Sequence, residues 1–108
     1  MSGFFMLAGT IASERSLKQW CSMLQQNGVY SHLDDEEYEL GLEISAANIV
    51  LRGGFGHELI VVGDAQSEHH LRSAVEQLAT LLQNNTLAYE FELYDRSNEL
   101  IEALKSPA

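Results

Sequence analysis

Three observations in this sequence predict an α+β domain built on an antiparallel sheet. Apolar residues recur at helical spacing in two separate segments, 17–24 and 71–82. Segments 38–44 and 87–93 instead alternate apolar with polar, the two-residue period of a strand with one wet face. Segments 4–11 and 59–62 are apolar on both sides of that alternation, as strands in the middle of a sheet are. In chain order these pieces run strand, helix, strand, strand, helix, strand, which is the split βαβ pattern. A length of 108 residues suits one domain, residues 1–108, and an apolar share of 45% is enough to fill its core.

The first strand is FFMLAGTI, residues 4–11. A helix follows, with Ser13 placed as its N-cap, Glu14 at the positive end of its dipole and Gly28 as its stop. Leu17, Trp20, Cys21 and Leu24 fall at i, i+3, i+4 and i+7 and form its buried stripe. In DDEEYELGLE, residues 34–43, an acidic lead passes into alternation. Tyr38, Leu40, Leu42 and Ile44 take one side, and Glu37, Glu39, Gly41 and Glu43 the other, so Tyr38 is expected to point inward. Residues 45–48 are expected to turn and Ile49 to Arg52 to return, either as a separate strand or as the arm of a hairpin. Gly53, Gly54 and Gly56 end that arm before ELIVVG, residues 58–63, a second central strand.

The second helix is capped by Asp64 or Ser67 and buries Leu71, Ala74, Val75, Leu78, Leu81 and Leu82. Asn84 and Asn85 end it, because Asn tolerates the left-handed C-terminal position. Leu87, Tyr89, Phe91 and Leu93 then alternate with Ala88, Glu90, Glu92 and Tyr94 in a one-sided strand. A short helix over residues 97–104 is expected to close the chain, with 106–108 fraying.

In element order the chain resembles the ferredoxin-like fold over about residues 3–95. That resemblance implies an antiparallel sheet of four to five strands, two helices on one face and the short C-terminal helix beyond it. It also implies that the first and third strands are central and the second and fourth are edges. The glutamate-bearing strands suit the edges, where charge discourages edge-to-edge pairing. Two helices on one face leave the other face open unless loops or the terminal helix cover it. Its middle would carry either Phe5 and Leu7 or Phe4 and Met6, with Leu59 and Val61 or Ile60 and Val62. Glu37, Glu39, Glu43, Glu90 and Glu92 would line its margins. An apolar centre ringed by charge has the composition of a protein interface.

Charge narrows the function classes. Sixteen acids against six bases give a net charge of -10 and a pI near 4.6. Nucleic acid binding needs clustered Lys and Arg, and an anionic membrane surface needs the same, so neither is an expected partner. No apolar run approaches the roughly 20 residues of a membrane span. No basic stretch precedes the first apolar run, so a cytoplasmic location is expected. A single cysteine, Cys21, forms no internal disulfide and builds no cysteine-based zinc site.

The acids concentrate: residues 19–51 hold Asp34, Asp35, Glu36, Glu37, Glu39 and Glu43 and no Lys or Arg. These six are the candidate partner-binding residues, since a complementary field speeds encounter with a basic protein and rejects wrong partners. The bland reading is a solvated loop and strand face. Contiguous acids running into a strand do not space oxygen ligands as a calcium loop does. His69 and His70 are adjacent and diverge on a helix, so no metal pair is expected. The glycines 53, 54 and 56 join two strands, not a strand to a helix, and are read as a hairpin loop and not a phosphate cradle. His57 has no nucleophile marked beside it, Cys21 lies on a buried stripe, and no cofactor is expected.

In size, charge and freedom from catalytic motifs the chain resembles bacterial immunity proteins, which cap the basic clefts of toxin domains. The resemblance implies a non-enzymatic inhibitor whose partner is a basic toxin or nuclease domain. Two alternatives stay open: a dimeric ferredoxin-like domain that binds a small ligand or regulates, and a small monooxygenase-like enzyme using His57 or a tyrosine. Either would self-associate, with the open sheet face available to a homodimer.

Overall fold

The structure, a computed structural model, describes residues 3–54 and 56–107. Its elements are β1 (Phe5–Ala12), α1 (Leu17–Gln26), β2 (Tyr30–Leu33), β3 (Glu39–Ile44), β4 (Ala47–Gly53), β5 (Glu58–Ala65), α2 (Glu68–Asn84), β6 (Tyr89–Tyr94) and β7 (Leu100–Lys105). The seven strands form one antiparallel sheet in the order β2-β3-β4-β5-β1-β6-β7. Both helices pack on the same face of it and share a single apolar core with the inward side chains of the strands.

This overturns the ferredoxin-like sheet of four to five strands with a third, C-terminal helix. The two-faced runs do sit side by side in the middle, β1 against β5 with Leu7 opposite Gly63 and Gly9 opposite Val61. The glutamate-bearing strands β3 and β6 are not edges, however, because β2 and β7 lie outside them. The sequence hides β2 because YSHL is four residues with one large aliphatic, and its inward position opposite Leu42 is Ser31. It hides β7 because a register shift between Leu93 and Tyr94 sets Leu100 opposite Tyr94 but Glu102 opposite Leu93. That extra residue breaks the two-residue alternation, and Leu100, Ile101 and Leu104 then mimic helical spacing. The arm at Ile49 to Arg52 is a full strand, β4, bonded to β3 on one side and β5 on the other.

Local chemistry places the helices. Ser16, not Ser13, caps α1 in a reciprocal box: its Oγ accepts from Gln19 N at 3.2 Å and Gln19 Oε1 accepts from Ser16 N at 2.8 Å. Ser13 is instead buried, and its Oγ accepts from the fully buried Trp20 indole at 3.0 Å. Leu17, Trp20 and Leu24 face the core, with Cys21 half-buried beside them. Ser67 caps α2 by accepting from His70 N at 3.1 Å, while Asp64 belongs to β5. At the other end, the left-handed residue is Thr86 (φ 57), and Asn85 acts through its side chain, which donates to the Leu81 carbonyl at 2.8 Å. Arg72 on α2 bridges Glu68 and Glu102, tying the helix to β7. Both carboxylates hydrogen-bond its guanidinium, which holds its pKa above the ordinary value.

Two backbone positions test this packing. A Cβ on Gly9 would lie 2.2 Å from the Glu90 carbonyl oxygen and 2.6 Å from the Phe91 ring, which occupies the space the glycine leaves. Gly9→Ala is therefore expected to cost about 3 kcal/mol by overpacking, whereas Gly3→Ala, which meets nothing within 4 Å, is neutral in the same urea unfolding series. Ser45 and Ala46 form the two-residue turn between β3 and β4 with φ of 48° and 63°, a conformation that suits glycine. Ala46→Gly should raise stability by about 1 kcal/mol, read as a higher urea midpoint at unchanged slope.

Candidate protein interface

Residues at even positions of β1 and β5 point away from the helices, and among the described residues no element covers them. Register brings them into rows across the sheet. In one row Met6 faces Asp64, Asp64 faces Asn48, Asn48 faces Glu43, and Glu43 faces Tyr30. In the next, Ala8, Val62, Val50 and Gly41 lie side by side on β1, β5, β4 and β3. The third aligns Thr10, Ile60, Arg52 and Glu39. The middle row is aliphatic, with Ala8, Val50 and Val62 half-buried, and it is flanked by Met6 and Ile60, which are 36% and 39% exposed. Of the two expected pairings of strand faces, the open one thus carries Phe4 and Met6 with Ile60 and Val62.

Carboxylates surround that middle, and two of them are matched. Glu39 binds Arg52 across β3 and β4 at 2.7 Å, and Glu90 lies 3.7 Å from Lys105 across β6 and β7. Among the described residues Glu43, Asp64 and Glu92 make no ion pair. Partial burial, the nearby Glu92 charge and a Glu92 hydrogen bond together hold the Tyr94 phenol above its ordinary pKa.

The six acids singled out from the sequence are divided by the structure. Glu39 and Glu43 lie on β3 and project onto the open face. Asp34 serves its own loop: its Oδ1 accepts from Tyr38 N at 2.7 Å and Glu39 N at 3.2 Å. Asp35, Glu36 and Glu37 stand exposed at the turn between β2 and β3, Glu37 with a left-handed φ of 59°. Tyr38 is 70% exposed and does not point inward, because β3 begins only at Glu39 and the tyrosine belongs to the loop. Sequence reasoning missed Asp64 and Tyr30 as face residues. Asp64 read as a helix cap, and Tyr30 lies on the strand that four residues could not announce. It also missed that Asp95 repeats the role of Asp34, accepting from Ser97 N at 2.8 Å and Glu99 N at 3.0 Å in the turn before β7.

Other polar clusters are committed to structure. In a cleft of about 550 Å³ beside α1, exposed His57 and Glu14 pair at 3.1 Å, while the nearby Ser13 hydroxyl is occupied by Trp20 and Arg15. A second cleft, of about 660 Å³, holds Arg15, Asp34, Glu39 and Arg52. Its two arginines are engaged, Arg52 with Glu39 and Arg15 over the Trp20 ring at 6.0 Å. His70 Nδ1 lies 2.9 Å from Ser67 Oγ at the start of α2. Among the described residues no three His, Cys, Asp or Glu side chains are grouped to hold a metal ion, and no helix is long and apolar enough to cross a membrane. The hairpin loop after β4 contains Gly54 and Gly56; Phe55 lies outside the described residues. Comparison with known proteins finds no family model and no curated protein that matches this chain.

The Tyr94 environment yields a pH prediction. A phenol whose folded pKa is raised favours its neutral form, so the stability it contributes is full below the unfolded value near 10 and is lost as pH rises through the folded value. Absorbance titration at 295 nm should show a late-ionising tyrosine that Tyr94→Phe removes and Glu92→Gln moves back toward the ordinary range.

Proposed function

We propose that this chain is a binding protein, not an enzyme, that caps a basic protein domain such as a toxin or nuclease in the manner of an immunity protein. The observation that carries the reading is the state of its cations. Of the six bases, Arg52, Arg72 and Lys105 are already spent on internal carboxylates, Arg15 and Arg96 lie over the Trp20 and Phe5 rings, and Lys18 alone stands exposed and unpaired among the described residues, against sixteen acids. The surplus of acids is therefore uncompensated from within and faces solvent. Such a field accelerates encounter with a positive surface and repels nucleic acid and anionic membranes. A face-to-face homodimer is disfavoured by the same field, since it would oppose Glu43 and Asp64 of each copy.

Capture of partners on the immobilised chain at low and then high salt, with identification by mass spectrometry, tests the reading. The expected result is one stoichiometric basic protein, released by salt and inhibited when the chain is added back. Its association rate should fall by about 10-fold or more between low and physiological ionic strength. Capture of no basic protein, together with a stable dimer in light scattering, would replace this reading with the dimeric alternative. The same uncompensated charge makes a prediction for the free chain. Raising ionic strength from about 0.01 to 0.15 M shortens the Debye length from about 30 to 8 Å, so the midpoint of thermal unfolding should rise.

A further inference from the structure

Resting on the basic-partner reading, we infer where that partner sits: on the open face of the sheet, with an apolar patch over Ala8, Val50 and Val62 and with Arg or Lys side chains reaching Glu43, Asp64 and Glu92. The hairpin tip at 35–37 then steers the encounter and is not the docking surface. Two observations carry this further than charge alone. The face combines the exposed side chains of Met6 and Ile60 with carboxylates, whereas the tip offers charge and one exposed tyrosine. Seven strands about 4.8 Å apart, averaging about 20 Å in length, give the face an area of about 600 Å² before side-chain relief. That approaches the roughly 800 Å² each partner contributes to an interface of standard size.

Charge then selects the occupant. The face's own cations, Arg52 and Lys105, are matched by Glu39 and Glu90 in neighbouring strands. What remains around the apolar centre is negative on both sides, Glu43 and Asp64 toward β3 and β5 and Glu92 toward β6. A second copy, an acidic protein or a nucleic acid would set like charge against it. A basic protein surface with an apolar centre matches both the middle and the margin.

The test uses the full chain, labelled for amide NMR at low salt, and three synthetic probes. One is a cationic amphipathic helix with leucine on one face and lysine and arginine on the other. The second is an oligolysine of equal charge, and the third is an anionic amphipathic helix. Expected is binding of the cationic amphipath at least 10-fold tighter than oligolysine, with shifts centred on Ala8, Val50 and Val62. Ile60→Ser and the pair Glu43→Gln with Asp64→Asn should each weaken it 10-fold or more. Asp35→Asn with Glu36→Gln, which removes the same charge as the face pair, should change it less than 3-fold. Ile60 and Glu43 are exposed and Asp64 is half-buried, and each variant's fold is checked by its own amide spectrum. Binding of both cationic probes with shifts confined to residues 34–38 would overturn the docking surface while leaving the basic-partner reading standing. No binding of either cationic probe, or equal binding of the anionic one, would overturn that reading and the inference with it. Concentration-dependent shifts on the face without any probe would assign it to a second copy and overturn the inference.

Discussion

Everything in this molecule depends on β1 being paired on both sides. It is the first element of the chain, yet it lies between β5 and β6, whose partners to it are contributed some fifty and eighty residues later. Its alternation therefore sets the two faces of the whole sheet. Leu7 and Ile11 are buried beneath the helices, and Met6, Ala8 and Thr10 look outward. Gly9 is the necessary exception on the inner side. Phe91 opposite it lies flat over the missing side chain and stacks on Tyr89 with ring centroids 4.9 Å apart. A sheet closed by such distant strands has costly loops to bring together before its contacts form, which places it among the slower-folding topologies.

From this constraint the asymmetry of the two faces follows. Two helices supply all the apolar cover that the inner side chains need, and α2 is further tied to β7 through Arg72 and Glu102. Nothing is left in the described chain to cover the other side. Small and aliphatic side chains occupy its middle because β1 and β5 are flanked by strands on either hand and must pack tightly against them. Carboxylates occupy its margin: Glu39 and Glu90 are held by cross-strand cations, Glu92 hydrogen-bonds Tyr94, and Glu43 and Asp64 make no ion pair among the described residues. Glu39 and Glu43 thus contribute to a surface whose other members, Asp64 and Glu92, come from strands remote in sequence.

Legibility from the sequence varied with the strength of each local signal. The stripes of Leu17–Trp20–Leu24 and Leu71–Val75–Leu78–Leu82 are long enough for periodicity to speak, and both are buried as the spacing requires. Two-faced runs identified β1 and β5 as central. Short or interrupted patterns did not survive: β2 is four residues, and the irregularity beside Tyr94 converts the β7 pattern into a false helix. Capping was ambiguous for a related reason. Ser13 and Ser16 both precede the first stripe, and only the reach of Gln19 back to Ser16 decides between them. The candidate site was half legible. That acids would ring an apolar centre follows from periodicity, but which acids depends on where β3 starts and how β4 is registered against β5. Neither is a local property: a one-residue shift in either would turn Asp64 or Glu43 to the core.

The position of the acids also bears on how an apolar face that the described residues leave uncovered could stay unpaired with a second copy. Aliphatic side chains alone on a flat sheet invite a second copy, and removing them would weaken the packing between neighbouring strands. Free carboxylates at the margin address the problem without touching the centre, because two copies brought face to face must desolvate and oppose like charges. The cost is self-repulsion within one molecule, which salt screens. A partner whose charge is opposite removes that cost and covers the aliphatic centre in the same event. On the proposed reading, one distribution of charge works against self-association and in favour of a basic partner, through residues that contribute nothing to the core. If that reading holds, selectivity and resistance to self-association on this face share one physical origin, and neutralising Glu43 and Asp64 acts on both at once.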